Sequence, residues 1–229
     1  MSTTERVDKK YYQAIPSHSL SEKLAIAARD RIYGDFIRCC RPGPHDTILD
    51  VGVSDVVNDA ANMLERKYPS PDRITAVGLG EGGEFRAAFP KTAYIRIEPN
   101  QPLPFADKSF TIATSNAVLE HVGSARHQSV FVSELMRVAH KVFISVPHRY
   151  FPVEHHTGIP FLHFWDRTFA PACRYLGKSE WADEGNLILM SRDRLKSLAP
   201  AHAVIAHTGL NLGPLSSNLM LFIDAAKAP

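Results

Sequence analysis

Between Thr47 and Val146, short apolar runs alternate with helix-forming stretches, and this alternation limits the fold more than any other feature of the chain. Thr47–Val51, Arg73–Leu79, Ala93–Ile97, Phe110–Ser115 and Lys141–Val146 read as strands. Val56–Lys67, Gly83–Phe89, Ala117–Val122 and Gln128–Ala139 read as helices, the first stopped near Tyr68-Pro69. A strand reached through a helix runs parallel to its predecessor, so the order predicts right-handed crossovers and a mostly parallel sheet. Ala203–His207 and Asn218–Asp224 are two further strands with a Gly-Leu-Asn-Leu-Gly-Pro connection. A link that short permits antiparallel pairing.

The flanks differ in character. Residues 1–16 form a polar arm ending at Pro16. Ser19 and Glu22 have capping-box spacing. Leu20, Leu24, Ala28, Ile32 and Phe36 then recur at helical spacing up to Cys40, before Arg41-Pro-Gly-Pro44 stops the helix. The stretch from Pro147 to Trp181 is crowded with His, Pro and aromatic residues, and Pro152, Gly158, Pro160 and Pro171 forbid one long helix there. A long irregular segment inside a compact domain points to function. Ser191–Ala199 is a helix with Ser191 as its N-cap.

Composition narrows the function classes. The 229 residues suit one domain, here read as 1–229 with a helical arm over 1–46 and an irregular insertion over 147–184. Lys plus Arg is 26 and Asp plus Glu 24, a net charge of +2, which disfavours a dedicated nucleic-acid binder. The three cysteines, Cys39, Cys40 and Cys173, show no framework spacing and read as reduced thiols. Met1–Lys10 lacks the apolar core of a signal peptide, and no run approaches the length of a membrane span. The expected location is the cytoplasm. Oligomeric state has no signature in the sequence.

Two segments carry ligand-binding signals. In Ile48-Leu-Asp-Val-Gly-Val-Ser-Asp55 an apolar strand runs into a glycine turn. At the carboxyl end of a parallel strand, Asp50 could bind an ammonium group and Gly52 would let the backbone approach a ligand. The same residues also suit an ordinary strand-to-helix turn capped by Ser54 or Asp55. The second segment runs from Leu103-Pro-Phe through Ser115-Asn-Ala-Val-Leu-Glu-His-Val122.

Leu103–Val122 resembles the class I S-adenosylmethionine-dependent methyltransferases, in which a Leu-Pro-Phe turn precedes strand four and a Leu-Glu-His-Val helix follows it. Asp50–Asp55 resembles a bacterial branch with an Asp-Val-Gly-Val-Ser/Thr first loop, as do Phe131–Val138 and Ser145–Val153. The resemblance implies an α/β, Rossmann-like, seven-stranded and mostly parallel sheet, helices on both faces, last strand antiparallel. It implies S-adenosylmethionine as cofactor and S-adenosylhomocysteine as product. By position, Asp50, Gly52, Val53 and Ser54 would line the methionine end. The usual ribose-binding acid falls on Gly80, so Glu81 takes that role, and Glu98 would lie near the adenine. Asn116 and Ala117 would flank the reactive methyl. The N-terminal helix, with Arg29, Arg31, Tyr33 and Arg38, would be a lid or else a surface amphipathic helix, and Tyr11 and Tyr12 could close over the site.

The acceptor side falls to His148–Trp165, which follows strand five. Phe151, Phe161, Phe164 and Trp165 can wall a small-molecule or glycan-type acceptor, with His148, Arg149, Glu154 and His156 as polar contacts. Removing a proton from an acceptor hydroxyl suits a histidine, and His121, His148 and His156 are the candidates. No metal site is expected. His156 and His163 would align only on a helix that Gly158 and Pro160 oppose, and no His-Glu-x-x-His pattern is present. The expected activity is direct methyl displacement. The alternative is a catalytically silent partner protein on the same fold.

Overall fold

The computed structural model describes residues 20–56 and 61–227. A 21-residue helix, α1 (Leu20–Cys40), leads into β1 (Ile48–Val51). There follow α2 (Met63–Lys67), β2 (Ile74–Gly78), α3 (Gly83–Ala88), β3 (Ala93–Arg96) and β4 (Phe110–Asn116). The second half contains α4 (Ala125–Val138), β5 (Ala139–Pro147), α5 (Asp166–Tyr175), α6 (Arg192–Leu198), β6 (Val204–Leu212) and β7 (Leu215–Asp224). The seven strands form one sheet in the order β3-β2-β1-β4-β5-β7-β6. β1 to β5 pair in parallel, and β7 lies antiparallel between β5 and β6. This is the seven-stranded, Rossmann-like sheet expected above.

Alternation along the strands sorts the core into two layers. Ile48, Ile74, Ile112 and Phe143 face α1, where they bury Ile32, Phe36 and Cys40 together with Leu64 and Tyr68. Leu49, Val51, Val77, Ala113, Val142 and Ile144 face the other way, against Val132, Leu135 and Val138 of α4 and Leu195 of α6. The Phe36 ring meets the edge of Phe143 with centroids 5.7 Å apart. Helix α1 is therefore bound by its apolar stripe, each large side chain contributing about 1.5–3 kcal/mol on burial.

Several local expectations change. Of the helix expected over Val56–Lys67, residues 57–60 lie outside the described residues, and the described helix starts at Met63, directly after Asn62 in a left-handed conformation (φ 52°). The Asn62 amide clamps the turn, accepting from the Ser54 N–H and donating to the Ser54 carbonyl. The expected helix over Ala117–Val122 is a 3₁₀ turn, Leu119–His121, since Ala117 is also left-handed (φ 56°) and donates its N–H to Ser145 on β5. Helix α4 begins earlier than expected, at Ala125, capped by the Ser124 hydroxyl. The Gly209–Pro214 connection lies largely within strands, with a register shift between Thr208 and Asn211 where Gly209 has φ 75°. Pro171 stands inside α5. Ser191 caps α6 as expected, its hydroxyl accepting from the Arg194 N–H. The Ser19–Glu22 capping box, Tyr11 and Tyr12 lie outside the described residues. Cys39, Cys40 and Cys173 are free thiols, two of them buried.

Phe36→Ala should destabilise the fold by about 3–5 kcal/mol, the range for a fully buried phenylalanine. Urea unfolding would measure it, and a loss below about 1 kcal/mol would show that α1 is not a structural part of the core.

Candidate active site

The chain turns outward in opposite directions from β1 and β4, which are adjacent, and such a reversal opens a crevice at the carboxyl ends of the strands. A cleft of about 490 Å³ lies there. Its floor is Asp50 of β1, Gly52 of the turn that follows, Thr114 and Asn116 of β4, and Ser145 of β5. Asp50, Thr114 and Ser145 lie two residues beyond Ile48, Ile112 and Phe143, so one face of the sheet changes from apolar to polar as its strands end. Ile32 and Phe36 of α1 line the same cleft, making the helix both core element and roof. Its polar residues turn elsewhere: Tyr33 donates to the Lys67 carbonyl, Arg38 pairs with Asp35, and Arg31 donates to the Gly209 carbonyl.

The first turn is tightly built. Gly52 has φ 96°, and a Cβ there would sit 2.3 Å from a Val118 methyl. Only glycine lets the β1 turn and the β4 turn close on each other. The N–H groups of Gly52 and Val53 both donate to the Val77 carbonyl. The Ser54 hydroxyl accepts from the Val56 N–H, a local turn bond. The buried Asp55 carboxylate reaches across to accept from the Gly82 and Phe85 N–H groups at the start of α3. A Cβ on Gly80 would lie 3.2 Å from the Asp55 Cβ, so an acid at position 80 would crowd this cap.

Asp50 faces a second carboxyl group, that of Glu65 on α2. Glu65 is 5% exposed, and neither of its oxygens receives a hydrogen bond from a conventional donor. Burial raises Asp50 to about 7. It also raises Glu65 well above the ordinary carboxyl range, with the Asp50 charge adding to the effect. Two carboxyls in contact hold one proton between them near neutral pH, or they are offset by a cation. Glu65 gave no signal in sequence, since it reads there as one charge among several on a helix.

Glu81 and Glu98 are not part of this cleft. Both are exposed and share Arg96, with contacts of 2.6 and 3.5 Å. Asn116 receives the hydroxyl hydrogen bond of Ser145 at the cleft floor, and Ala117 follows it in the turn. Val53 lines the cleft, whereas Ser54 is committed to Asn62 and Val56.

The histidines gather beside it, beyond the ends of β4 and β5. A cavity of about 260 Å³ is lined by His148, Arg149, Glu154, His156, His163 and Glu120 together with Leu187–Met190. His148 is buried and sits 3.1 Å through Nδ1 from the Ser216 carbonyl, and burial lowers its pKa. His163 bonds the Phe151 carbonyl, and Arg149 pairs with Asp166. His156 and His121 meet through their Nε2 atoms at 3.1 Å. Behind His156, Glu154 accepts from its Nδ1, from its backbone N–H, and from the N–H and hydroxyl of Thr157. Burial opposes the ionised form of Glu154, but these bonds outweigh it and hold the carboxyl down to about 2. Phe161 and Trp165 are exposed rather than walls of the cavity. Glu120, passed over in sequence inside the stretch Ala117–Val122 read as a helix, is buried here with neither oxygen hydrogen-bonded.

Residues 53–142 match the model of a family described as a methyltransferase domain. No curated protein sequence matches. Among solved structures, magnesium protoporphyrin IX methyltransferase from Synechocystis PCC 6803, bound to S-adenosylhomocysteine, is similar with a TM-score of 0.57 at 11% identity, over 95% of this chain and 92% of that one. The N-methyltransferase NodS from Bradyrhizobium japonicum WM9, also with S-adenosylhomocysteine, gives 0.55 at 11% identity over 96% of each chain. A SAM-dependent methyltransferase from Thermotoga maritima gives 0.55 at 12% identity over 90% and 91%. The fold of this chain is the one these enzymes share. No helix among the described residues is long and apolar enough to cross a membrane.

The Asp50–Glu65 pair predicts a pH dependence of stability. Both groups are raised in the folded protein, so their contribution is fully present below the unfolded carboxyl range near pH 4 and is lost as pH rises towards and past 7. Glu65→Gln should remove a loss on the order of 1–3 kcal/mol between pH 5 and pH 8. Urea midpoints at the two pH values measure it, and an unchanged difference would mean that the two acids do not share a proton.

Proposed function

We propose that this chain, whose residues 53–142 match the model of a methyltransferase domain, moves a methyl group from S-adenosylmethionine to a small-molecule or glycan-type acceptor. The observation that carries the reading is the cleft at the β1/β4 reversal, with Asp50 at its base, Glu65 behind that acid, and a glycine turn at its edge. The Asp50–Glu65 pair would receive the methionine ammonium, whose positive charge takes the place of the shared proton. Gly52 and Val53 would run along the methionine chain, and Asn116 and Ala117 would flank the sulfonium. Ser54 contributes by holding the turn in shape with Asn62. Glu81 and Glu98 reach the nucleoside only by leaving Arg96, so they rank below Asp50 as cofactor ligands.

The reaction is a single in-line displacement. A lone pair of the acceptor attacks the methyl carbon as the carbon–sulfur bond breaks, releasing neutral S-adenosylhomocysteine. For a hydroxyl acceptor the proton needs a base, and His148 fits best of the three candidates. Its Nδ1–H donates to the Ser216 carbonyl, which leaves the Nε2 lone pair for the acceptor. The lowered pKa keeps the ring neutral and receptive at pH 7. His121 and His156 engage each other. Most of the rate would come from orienting acceptor and methyl in line.

Calorimetric titration of ligand-stripped protein with S-adenosylmethionine and S-adenosylhomocysteine should give micromolar binding at one site per chain. No binding of either ligand by folded protein would overturn the reading in favour of a silent partner protein. Asp50→Ala should weaken binding by about 1–3 kcal/mol, the loss of a charged hydrogen bond. Glu81→Ala should change it less than about threefold, since an exposed ion pair contributes at most about 1 kcal/mol. With an acceptor in hand, His148→Gln should lower kcat by about 10²–10⁴ while cofactor affinity stays the same. An unaltered kcat would remove His148 as the base.

A further inference from the structure

We propose that Glu120, His121 and His156 form a binding site for one divalent first-row metal ion of the zinc type. Donor atoms of the three side chains lie within 4.8 Å of one another. They come from two turns at the carboxyl edge of the sheet, the 3₁₀ turn Leu119–His121 after β4 and the loop after β5. The proposal stands apart from the cofactor reading, because none of the three residues lines the cleft at Asp50.

The hydrogen bonds behind the rings fix which nitrogens face inward. The Asn186 carbonyl, 2.7 Å from His121 Nδ1, can only accept, so that nitrogen carries the proton. Glu154 Oε1, 2.7 Å from His156 Nδ1, likewise accepts, and the same carboxylate is held by three further donors. In each neutral ring the lone pair is therefore on Nε2, and the two Nε2 atoms point at each other across 3.1 Å. Two facing lone pairs repel unless something positive lies between or beside them. A single proton would join the rings, but it would leave Glu120 unanswered. Glu120 is 1% exposed, and neither of its oxygens has a hydrogen-bond partner. A divalent cation satisfies both nitrogens and the carboxylate at once.

The dimensions agree with such an ion. Zinc–nitrogen bonds of about 2.0–2.1 Å in a tetrahedral shell put neighbouring donor atoms about 3.3 Å apart. The histidine pair is already at that spacing, and Glu120 closes the rest by side-chain rotation. Metal-bound imidazoles usually donate their other N–H to a carbonyl or carboxylate, and Asn186 and Glu154 supply one of each. Two imidazoles and one carboxylate suit zinc and its first-row neighbours and leave a coordination position open. Glu120 and His156 both line the 260 Å³ cavity that holds His148 and Arg149, so the open position would take an oxygen ligand, either water or an oxygen of the acceptor. The site escaped the sequence reading because His121 and His156 are 35 residues apart, outside any local ligand spacing.

The test uses the full chain after chelator treatment, titrated with Co²⁺ and followed by visible absorption, then challenged with Zn²⁺. One equivalent of Co²⁺ per chain with tetrahedral-type bands, displaced by Zn²⁺, is the expected result. Glu120→Gln, which keeps size and shape, and His156→Gln should each weaken uptake at least tenfold, while His140→Ala, at an exposed histidine, should leave it unchanged. Thermal unfolding identifies any variant that fails to fold, and the other variant then decides. Zn²⁺ should raise the midpoint of the wild type but not of Glu120→Gln. No stoichiometric uptake, or uptake equal in wild type and both site variants, would overturn the proposal. Calorimetry with S-adenosylmethionine on the same samples reads the cofactor site separately, so failure of one does not count as failure of the other.

Discussion

The parallel pairing of β1 with β4 decides what reaches the cleft. Ile48 lies opposite Ile112, and Asp50 opposite Thr114. Side chains alternate between faces, so this register sends the isoleucines into the α1 layer and presents Asp50 and Thr114 just above them. A slip of one residue would turn Asp50 into the opposite layer among Leu135 and Val138 and leave the cleft without its acid. The glycine turn, the Asn62 clamp and the roof helix all assume that alignment. Fold stability and site chemistry thus share one set of backbone hydrogen bonds.

The polar groups of the two cavities are held in different ways. At the first turn, backbone donors and side-chain caps satisfy one another: Asp55 takes the α3 amides and Asn62 takes Ser54. Where ligands are proposed to bind, acids remain without conventional donors, Glu65 behind Asp50 of the cleft and Glu120 in the wall of the second cavity. Buried carboxyls in that condition cost free energy that well-packed apolar residues would not. Each stands beside other ionisable groups on the ligand edge of the sheet, and in each a positive charge would relieve the cost.

Much of the architecture was legible from the chain, and for a physical reason. Buried parallel strands such as Ile48–Val51 and Phe110–Asn116 are local apolar runs, and helices with one buried face repeat at fixed spacing. Asp50 and Gly52 could be put at a crevice because strand ends in such a sheet converge there, whereas Asn116 came from the family resemblance. What sequence could not supply were the left-handed residues Asn62 and Ala117, which stand within stretches that propensity alone reads as helix. It also could not supply meetings across long separations. Glu65 on Asp50, Asp55 on α3, and His121 on His156 each depend on how turns from different strands face one another. Glu81, one residue past the usual ribose position, and Glu98, at the position expected near the adenine, show the converse, since both are exposed and pair with Arg96.

Ile32 and Phe36 belong at once to the hydrophobic layer and to the wall of the cleft. A helix that served only as a cover could swing clear at little cost. Lifting α1 would instead bare Ile48, Ile112 and Phe143 to water, with about 1.5–3 kcal/mol lost for each large side chain uncovered. At that cost such openings are sparsely populated, so a small molecule reaching the cleft would enter between the strand tips and their turns, past a roof that stays in place.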